Sequence, residues 1–313
     1  IIPNKIFQVD YGEPLREILS TNKQVSGVVN FGSNQVFAEA ATTYTTLLFL
    51  QGSEVEEAFT YWELRDDSNP STINQLEDSE RWLKNTFSND ELSESIWGFQ
   101  PEEISSIIEK SEQQSTLLGE LAGGISRGTS SGRDQIFELE VNGKRGDSLL
   151  CTSKAESEAF EIESEVLRNP IHSTDFEKYA FTGSGNKKLI WPYDSEYNLL
   201  SESELQSQYP RAWDYLKNNE ESLRDRADYR EWFGYSAPRN LETHDNAEIL
   251  IPLLADGPSF SEYPKPQSNY ILMASGGFSI SIQSDSEYSR EYILALINSN
   301  LLFLCLKSVS NIF

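Results

Sequence analysis

Two apolar, β-branched runs joined by a short polar connection constrain the fold more than any other feature of the chain. The runs cover Val25–Phe31 and Thr42–Leu50. Segments of this length that are rich in Val, Thr and aromatic residues favour β-strands, and the low charge of the first run fits a strand covered on both faces. A helix is indicated upstream, from Pro14 to Ser20, after a short strand that ends at Pro3. The order strand, helix, strand, strand is typical of the end of an α/β domain.

The connection between the two runs carries two large apolar residues, Val36 and Phe37, among small and polar ones. Such a pair in a connecting segment is most simply explained as a hydrophobic plug that seals the end of a sheet. The residues by themselves therefore give Phe37 a packing role.

The segments IIPNKIFQVDYGEPLREIL (residues 1–19) and VVNFGSNQVFAEAATTYTTLLFL (residues 28–50) resemble part of a known family. They are similar to the end of the methyltransferase domain in N6-adenine DNA methyltransferases of restriction–modification systems, the gamma-class type II and type IIG enzymes. The resemblance implies a Rossmann-like catalytic domain, of which residues 1–65 are the C-terminal strands and helix. It also implies S-adenosylmethionine as the cofactor, and it makes Phe37 the catalytic-site aromatic that packs against the flipped adenine.

Further family-like phrases resemble the target recognition domain of the same enzymes. They lie in residues 117–139, 161–194 and 203–228. The resemblance implies a mixed α+β recognition domain over residues 116–313, preceded by an acidic helical connector over residues 66–115. Within the connector, Gln75–Phe87 and Pro101–Lys110 are expected to be helices. Residues 203–228 are the clearest helical segment of the recognition domain, with Pro210 restarting the helix.

The candidate DNA contacts in this region are basic or hydrogen-bonding residues of loops and strand ends, because such side chains bind phosphates and base edges. The set is Arg127, Thr129, Arg133, Lys187, Lys188, Tyr193, Arg224 and Arg239. Two alternatives stay open. The backbone amides of the glycine-rich stretch 123–129 either approach a phosphate or belong to a plain β-turn. Lys187 and Lys188 either contact phosphates or protect an edge strand.

The net charge of the chain opposes binding to DNA. The 313 residues carry a formal net charge of −25 at pH 7, whereas contact with phosphates requires Lys and Arg on the contacting face. The excess acid is concentrated in Glu54–Glu120 and in residues 201–206 and 218–222, however, whereas the basic candidates lie in segments after residue 120. A surface adapted to high salt has the same composition. The charge therefore does not distinguish salt adaptation from a DNA-binding chain that keeps its basic residues locally.

Cysteine and histidine usage narrows the class of protein. Cys151 and Cys305 give no disulfide framework or metal cluster, which fits a reducing cytoplasm. His172 and His244 are the only histidines, so neither a His-based metal site nor a Ser-His-Asp triad is expected. No signal peptide is recognised, and the longest apolar run, residues 301–306, is far shorter than the roughly 20 residues that span a bilayer, so no membrane partner is expected.

The catalytic motifs of the family are missing from this sequence. Neither a glycine-containing cofactor motif nor Asn-Pro-Pro-Tyr/Phe is present, and the two Asn-Pro pairs, at residues 69–70 and 169–170, continue with Ser and Ile. We therefore expect a fragment of a longer protein that is inactive alone. Its cofactor site would lie in the N-terminal catalytic half, and double-stranded DNA would be its other partner. The alternative is a non-catalytic module, either a specificity subunit or an acidic protein-interaction domain.

Overall fold

The computed structural model describes residues 1–34, 36–37, 44–55, 58–65, 70–100, 102–113, 116–255 and 257–309. The chain divides into two units: unit 1 contains residues 1–114 and 303–313, and unit 2 contains residues 115–302. The predicted catalytic end, connector and recognition domain are divisions by function, and they stay predictions.

Unit 1 is built on one mixed sheet. Its strands are β1 (Ile2–Pro3), β2 (Val25–Asn30), β3 (Thr45–Leu50), β4 (Phe59–Leu64) and β5 (Trp82–Phe87), and its helices are α1 (Glu13–Thr21) and α2 (Glu102–Glu112). In the described residues the strands pair in the order β1-β3-β2-β4-β5, and β2 and β4 run parallel. The predicted order of strand, helix, strand and strand is confirmed by β1, α1, β2 and β3.

Strand β2 is buried on both faces, as its low charge predicts. Val28 packs with Leu19 of α1 and with a group of aromatic rings that includes Phe99. Val29, which points to the opposite face, packs with Trp82 and its neighbours in a second cluster. Both valines are at most 1% exposed. The strand thus connects the two parts of the core of unit 1.

The helix expected over residues 75–87 is wrong. Trp82–Phe87 forms β5 at the edge of the sheet, antiparallel to β4, and a 3-10 helix spans Pro70–Gln75. The charged residues of this segment suggested a solvated helical face, but pairing with β4 and burial of Trp82 determine the local structure. The segment is therefore not an all-helical connector. The second expected helix is confirmed as α2, although its expected first residue, Pro101, lies outside the described residues.

Unit 2 mixes short helices with several sheets, which confirms the expected α+β class. Its strands are β6 (Ala122–Arg127), β7 (Glu138–Arg145), β8 (Ser148–Ser153), β9 (Phe160–Glu163), β10 (Leu167–Ile171), β11 (Phe176–Glu177), β12 (Ala180–Phe181), β13 (Lys187–Ile190), β14 (Ile249–Ile251), β15 (Ser261–Glu262), β16 (Tyr270–Leu272) and β17 (Phe278–Ile282). Its helices are α3 (Leu118–Leu121), α4 (Asp134–Phe137), α5 (Glu202–Gln208), α6 (Pro210–Asn218), α7 (Glu220–Arg224) and α8 (Arg290–Ile297), and α9 (Asn300–Val309) crosses the division between the units. None of the helices in these described ranges is both long and apolar enough to cross a membrane.

The larger sheet of unit 2 supports the helical run that follows it in sequence. Its described strands pair in the order β16-β10-β13-β7-β8-β9, and a second sheet has the order β15-β14-β17-β6. Pro210 begins α6, as predicted, and Trp213, Leu216 and Leu223 are buried against the sheet residues Leu139 and Ile190. The apolar face of these short helices therefore packs into the core, as the helical pattern of the sequence indicates.

The sequence left open two structural alternatives to DNA contact, edge-strand protection and a plain β-turn. The structure of unit 2 contradicts both. Lys187 and Lys188 begin β13, which lies between β10 and β7 in the interior of the sheet, so they do not protect an edge strand. Gly123 and Gly124 lie within β6, which pairs with β17, so this stretch is not a plain β-turn.

Candidate functional site

Phe37 is an exposed aromatic residue in the loop that follows β2. Val36 packs against the apolar cluster around Trp82, whereas Phe37 keeps 47% of its surface exposed. Residue 35 and residues 38–43 of the same connection lie outside the described residues. The plug role therefore fits Val36, whereas about half of Phe37 is exposed to solvent.

A buried hydrogen-bond network centres on Asn30, the last residue of β2, and fixes the start of this loop. The Asn30 Nδ2 donates to the Tyr61 hydroxyl at 3.0 Å, and its Oδ1 accepts from Thr46 Oγ1 and from the Gly32 N–H, both at 3.1 Å. Tyr61 in turn donates to Glu63 Oε2 at 2.9 Å. Tyr61 and Thr46 are at most 3% exposed. An unpaired polar group would be costly in this environment, so the network holds one conformation.

Gly32 and Tyr61 each contribute a specific property to this network. Gly32 adopts φ +58°, a left-handed conformation that favours glycine, and its carbonyl accepts from Asn4 Nδ2 at 3.4 Å. Burial, followed by the neighbouring Glu63 carboxylate, holds the pKa of Tyr61 well above its usual range. The phenol therefore keeps its proton and remains the donor to Glu63.

In unit 2, Arg127 and Arg239 are exposed arginines on adjacent segments. Arg127 ends β6, and Arg239 follows Pro238 in a loop. The loop is tied to the strand because Asn240 Nδ2 donates to the Arg127 carbonyl oxygen at 3.1 Å. Neither guanidinium has a hydrogen bond or ion pair to the described part of the chain. Both are therefore available to an anion or a base edge.

The strap Gly128–Ser131, which follows β6, uses its polar groups inside unit 2. Its backbone N–H groups donate to carbonyl oxygens: Gly128 to Gly277 at 3.1 Å, Thr129 to Leu272 at 2.9 Å and Ser130 to Ala237 at 3.2 Å. Thr129 is fully buried, and its Oγ1 donates to the Ala237 carbonyl at 2.9 Å. These contacts argue against Thr129 and the amides of 128–129 as ligands of a phosphate.

Arg133 and Arg224 are also occupied by neighbours. Arg133 Nε donates to the Ser222 carbonyl at 3.1 Å, and its Nη2 lies 2.9 Å from Asp225 Oδ2. Arg224 Nη2 lies 2.7 Å from Glu220 Oε1. Arg133 thus joins the strap region to α7, while Arg224 is a paired surface residue of α7. Contact with DNA would have to replace these bonds.

The remaining predicted contacts, Tyr193, Lys187 and Lys188, differ in their exposure. Tyr193 is 7% exposed, its hydroxyl accepts from the Tyr235 N–H at 3.0 Å, and burial raises its pKa to about 12. Lys188 donates to Asn169 Oδ1, and burial lowers its pKa. Lys187 is exposed at the start of β13. Of the three, only Lys187 is placed for contact with a phosphate.

Sequence reasoning missed the structural role of Arg226. Its guanidinium donates to four carbonyl oxygens, those of Leu223, Ser131, Gly234 and Trp232, at 2.8, 2.7, 2.9 and 2.5 Å. The residue is 8% exposed, and burial lowers its pKa. The four acceptors come together only in the folded unit, so the sequence carries no signal for this role.

Sequence reasoning also missed a cluster around His172. The ring Nδ1 lies 2.8 Å from Ser275 Oγ, and the ring Nε2 lies 2.9 Å from Glu138 Oε1. The latter is an ion-pair contact rather than a well-aligned hydrogen bond. The Glu138 carboxylate raises the pKa of His172. The only local signal is Asp175, three residues later, whose Oδ2 accepts from the His172 N–H at 2.7 Å.

Comparison with known proteins shows that the chain is similar to a restriction–modification enzyme. No protein-family model matches it. The type II restriction enzyme and methyltransferase RM.Eco57I of Escherichia coli is 27% identical over 328 residues, and the alignment covers 96% of this chain. The chain is a homologue of this restriction–modification enzyme. It spans about a third of the length of RM.Eco57I, 31%.

Homology to RM.Eco57I confirms the resemblance to type II restriction–modification proteins. Among solved structures, the type IIG restriction endonuclease BpuSI aligns with 99% of this chain and 37% of its own, with a TM-score of 0.36 and 11% sequence identity. This TM-score is too low to support an argument about the fold. The roles of individual residues in this restriction–modification homologue therefore depend on its own geometry.

Proposed function

We propose that this chain belongs to a sequence-specific N6-adenine DNA methyltransferase of a restriction–modification system. Residues 1–65 would be the end of its catalytic domain, and residues 116–313 its target recognition domain. The observation that carries the proposal is the homology to a type II restriction enzyme and methyltransferase over 96% of the chain. A cytoplasmic location is part of the same proposal.

The proposed role of Phe37 is to pack against the adenine that leaves the duplex. A base outside the duplex loses its stacking partners, and an aromatic side chain replaces them. Phe37 offers such a surface because the residue is 47% exposed, while Val36 and the Asn30 network hold the described residues that precede it. Preordering of the residues before Phe37 would reduce the entropy that is lost when the base is positioned.

The proposed DNA surface of unit 2 consists of Arg127, Arg239 and Lys187. These residues are exposed, and the two guanidinium groups have no partner among the described residues. Arginine binds guanine or phosphate bidentately, whereas lysine supplies a point charge to a phosphate. The net charge of −25 makes such exposed cations necessary for contact with DNA.

S-adenosylmethionine is the proposed cofactor of the intact protein and would supply the methyl group. The Asn-Pro pair of unit 2 does not fit a catalytic acceptor for the adenine amine. Asn169 accepts from Lys188, and its Nδ2 donates to the Asn269 carbonyl at 3.1 Å, so its carboxamide is already used. The cofactor site is therefore expected in the N-terminal catalytic half, the proposed partner of this chain.

Replacement of Phe37 in the intact protein tests this function. Phe37→Ala should lower adenine methylation about 5- to 150-fold, because stacking of a base on an aromatic ring is worth about 1–3 kcal/mol. Phe37→Trp keeps a stacking surface and should retain most activity. Phe49→Ala is the matched control, since Phe49 is 49% exposed on β3 of the same unit. Unchanged methylation by Phe37→Ala, or an equal loss with Phe49→Ala, would contradict the proposed role.

Binding of the intact protein to duplex DNA across a salt series tests the class of function. A methyltransferase that contacts phosphates should lose affinity steeply as the salt concentration rises. Absence of binding even at low salt would instead favour an acidic protein-interaction module.

A further inference from the structure

His172 links a buried carboxylate to an exposed hydroxyl. Its ring lies between Glu138 Oε1, 2.9 Å from Nε2, and Ser275 Oγ, 2.8 Å from Nδ1. The side chains of His172 and Glu138 are 16% and 17% exposed, whereas Ser275 is exposed in a short turn. A change in the charge of the ring is therefore transmitted to one hydroxyl at the surface.

Ser275 belongs to the same surface as Arg127. The N–H of Ala274, which precedes it, donates to the Thr129 carbonyl at 2.7 Å, and the Gly277 carbonyl accepts from the Gly128 N–H at 3.1 Å. These two bonds fasten the turn against the strap that begins directly after Arg127. A Cβ atom on Gly128 would lie 2.2 Å from the Met273 carbonyl oxygen, so the two segments touch backbone to backbone.

The protonation state of His172 determines whether the Ser275 hydroxyl proton is bound to the ring or is available to solvent. In the neutral ring with its proton on Nε2, next to Glu138, Nδ1 is an acceptor and takes the Ser275 hydroxyl proton. In the charged ring Nδ1 is a donor, so the Ser275 oxygen accepts and its proton is free to point to solvent. A phosphate oxygen is an acceptor only, and it therefore fits the second arrangement.

The charged groups that act on this ring come from three elements. Glu138 on β7 and Asp175 on the turn after His172 favour the charged form, and Lys187 on β13 opposes it. The adjacent Glu138 carboxylate makes the largest contribution and outweighs the opposing effect of burial, so the pKa of His172 is raised. The ring therefore keeps its charge to a higher pH than an unperturbed histidine does.

We propose that Ser275 donates a hydrogen bond to a DNA phosphate when His172 is protonated, so that the Glu138–His172–Ser275 cluster is a proton-dependent phosphate contact. The inference rests on the proposed function, because it requires that this surface meets DNA. The cluster does not match a serine hydrolase, in which serine contacts Nε2 and the carboxylate contacts Nδ1, the reverse of the order here. Its position next to Arg127 instead favours a role in binding an anion.

Duplex binding by the intact protein, measured at constant salt from about pH 6 to about pH 8.5, tests the proposal. The affinity of the wild type should fall by about tenfold over this range, as one charge-assisted contact is lost. Ser275→Ala and His172→Gln should bind weakly at pH 6, with little further fall toward pH 8.5. The double variant should match the single ones, because the two residues act through one contact. Ser207→Ala, an exposed serine on α5, is the matched control and should follow the wild type.

Two outcomes separate failure of this inference from failure of the proposed function. Binding that keeps its salt dependence, but has the same pH dependence in wild type, Ser275→Ala and His172→Gln, would overturn the inference alone. Absence of DNA binding at every pH would overturn the proposed function. Thermal unfolding of each variant identifies any loss of binding that comes from misfolding. A misfolded His172→Gln leaves Ser275→Ala as the deciding variant, because that substitution removes only an exposed hydroxyl.

Discussion

The Asn240 side chain donates a hydrogen bond to the carbonyl oxygen of Arg127 at 3.1 Å and thereby joins the loop of Arg239 to the end of β6. Asn240 itself has φ +54°, a left-handed conformation that asparagine tolerates better than most residues. The Arg239 backbone N–H donates to the Ala237 carbonyl at 2.9 Å, within the segment that pairs with the strap. Two arginines that are more than a hundred residues apart in sequence are thus held on one surface by hydrogen bonds to their main-chain atoms and to their neighbours.

Removal of either arginine should reduce the salt dependence of DNA binding by the intact protein. Each phosphate contact that is lost lowers the slope of log K against log salt by about 0.9, so Arg127→Ala and Arg239→Ala should each show this change. Neither substitution should shift the unfolding midpoint, since neither guanidinium bonds to the described residues. Arg224→Ala should have a smaller effect, because Arg224 is paired with Glu220. An equal effect of all three would contradict the distinction between available and occupied arginines.

Replacement of Arg226 should destabilise the protein strongly. Arg226→Met removes the donor of four hydrogen bonds to carbonyl oxygens at a residue that is 8% exposed, and we expect a loss of about 3 kcal/mol or more in the free energy of unfolding. Chemical denaturation measures this value. Arg224→Met is the control on the neighbouring helix and should leave stability nearly unchanged. A similar stability for both variants would show that the Arg226 bonds do not contribute.

Replacement of Asn30 should affect both stability and the proposed catalytic loop. Asn30→Leu leaves the buried Thr46 hydroxyl and the Gly32 N–H without their acceptor, at a cost of about 2 kcal/mol. Tyr61→Phe should cost less, because Asn30 keeps its two acceptor contacts. Methylation by Asn30→Leu should fall even at a temperature where the protein is fully folded, since the first turn toward Phe37 is no longer fixed. Full methylation activity of Asn30→Leu under these conditions would show that the network does not contribute to the function of the loop.

The buried His244 should make stability depend on pH. Burial lowers its pKa to about 4, below the value of about 6.5 in an unfolded chain. The unfolded state therefore binds a proton first as the pH falls, and native stability should decrease between about pH 6.5 and about pH 4, by on the order of 3 kcal/mol. His244→Gln should unfold with a weaker pH dependence in this window. Identical slopes for wild type and variant, measured by denaturant unfolding, would exclude this contribution.

The parts of the fold that local pattern determines were predictable, and those determined by pairing were not. The low charge of Val25–Phe31 correctly indicated a strand covered on both faces, and Pro210 correctly marked a helix start. Trp82–Phe87 was mistaken for a helix, because charged residues at helical spacing conceal the pairing of this strand with β4. Local spacing carries no information about a partner strand.

In the candidate site, too, the local sequence does not show which single side chains are buried and which are free to bind. Arg127 and Thr129 are two residues apart and were equivalent candidates, but Thr129 is buried against Ala237 and Arg127 is exposed. The cluster of His172 with Glu138 and Ser275 was unpredictable for a related reason, because these residues come from three distant segments. Residue type indicates which groups can bind an anion, whereas tertiary contacts determine which of them are free.

The hydrogen bonds that hold the strap and the loop of Arg239 in place do not involve the side chains of Arg127 and Arg239. They use main-chain atoms of both arginines, together with buried groups such as Thr129 and Arg226. If the proposed DNA surface is correct, substitutions at positions 127 and 239 change what it recognises while the supporting architecture stays the same. A recognition surface arranged in this way can diverge by single amino-acid changes, and the same two positions are where altered sequence preference should be selected for first.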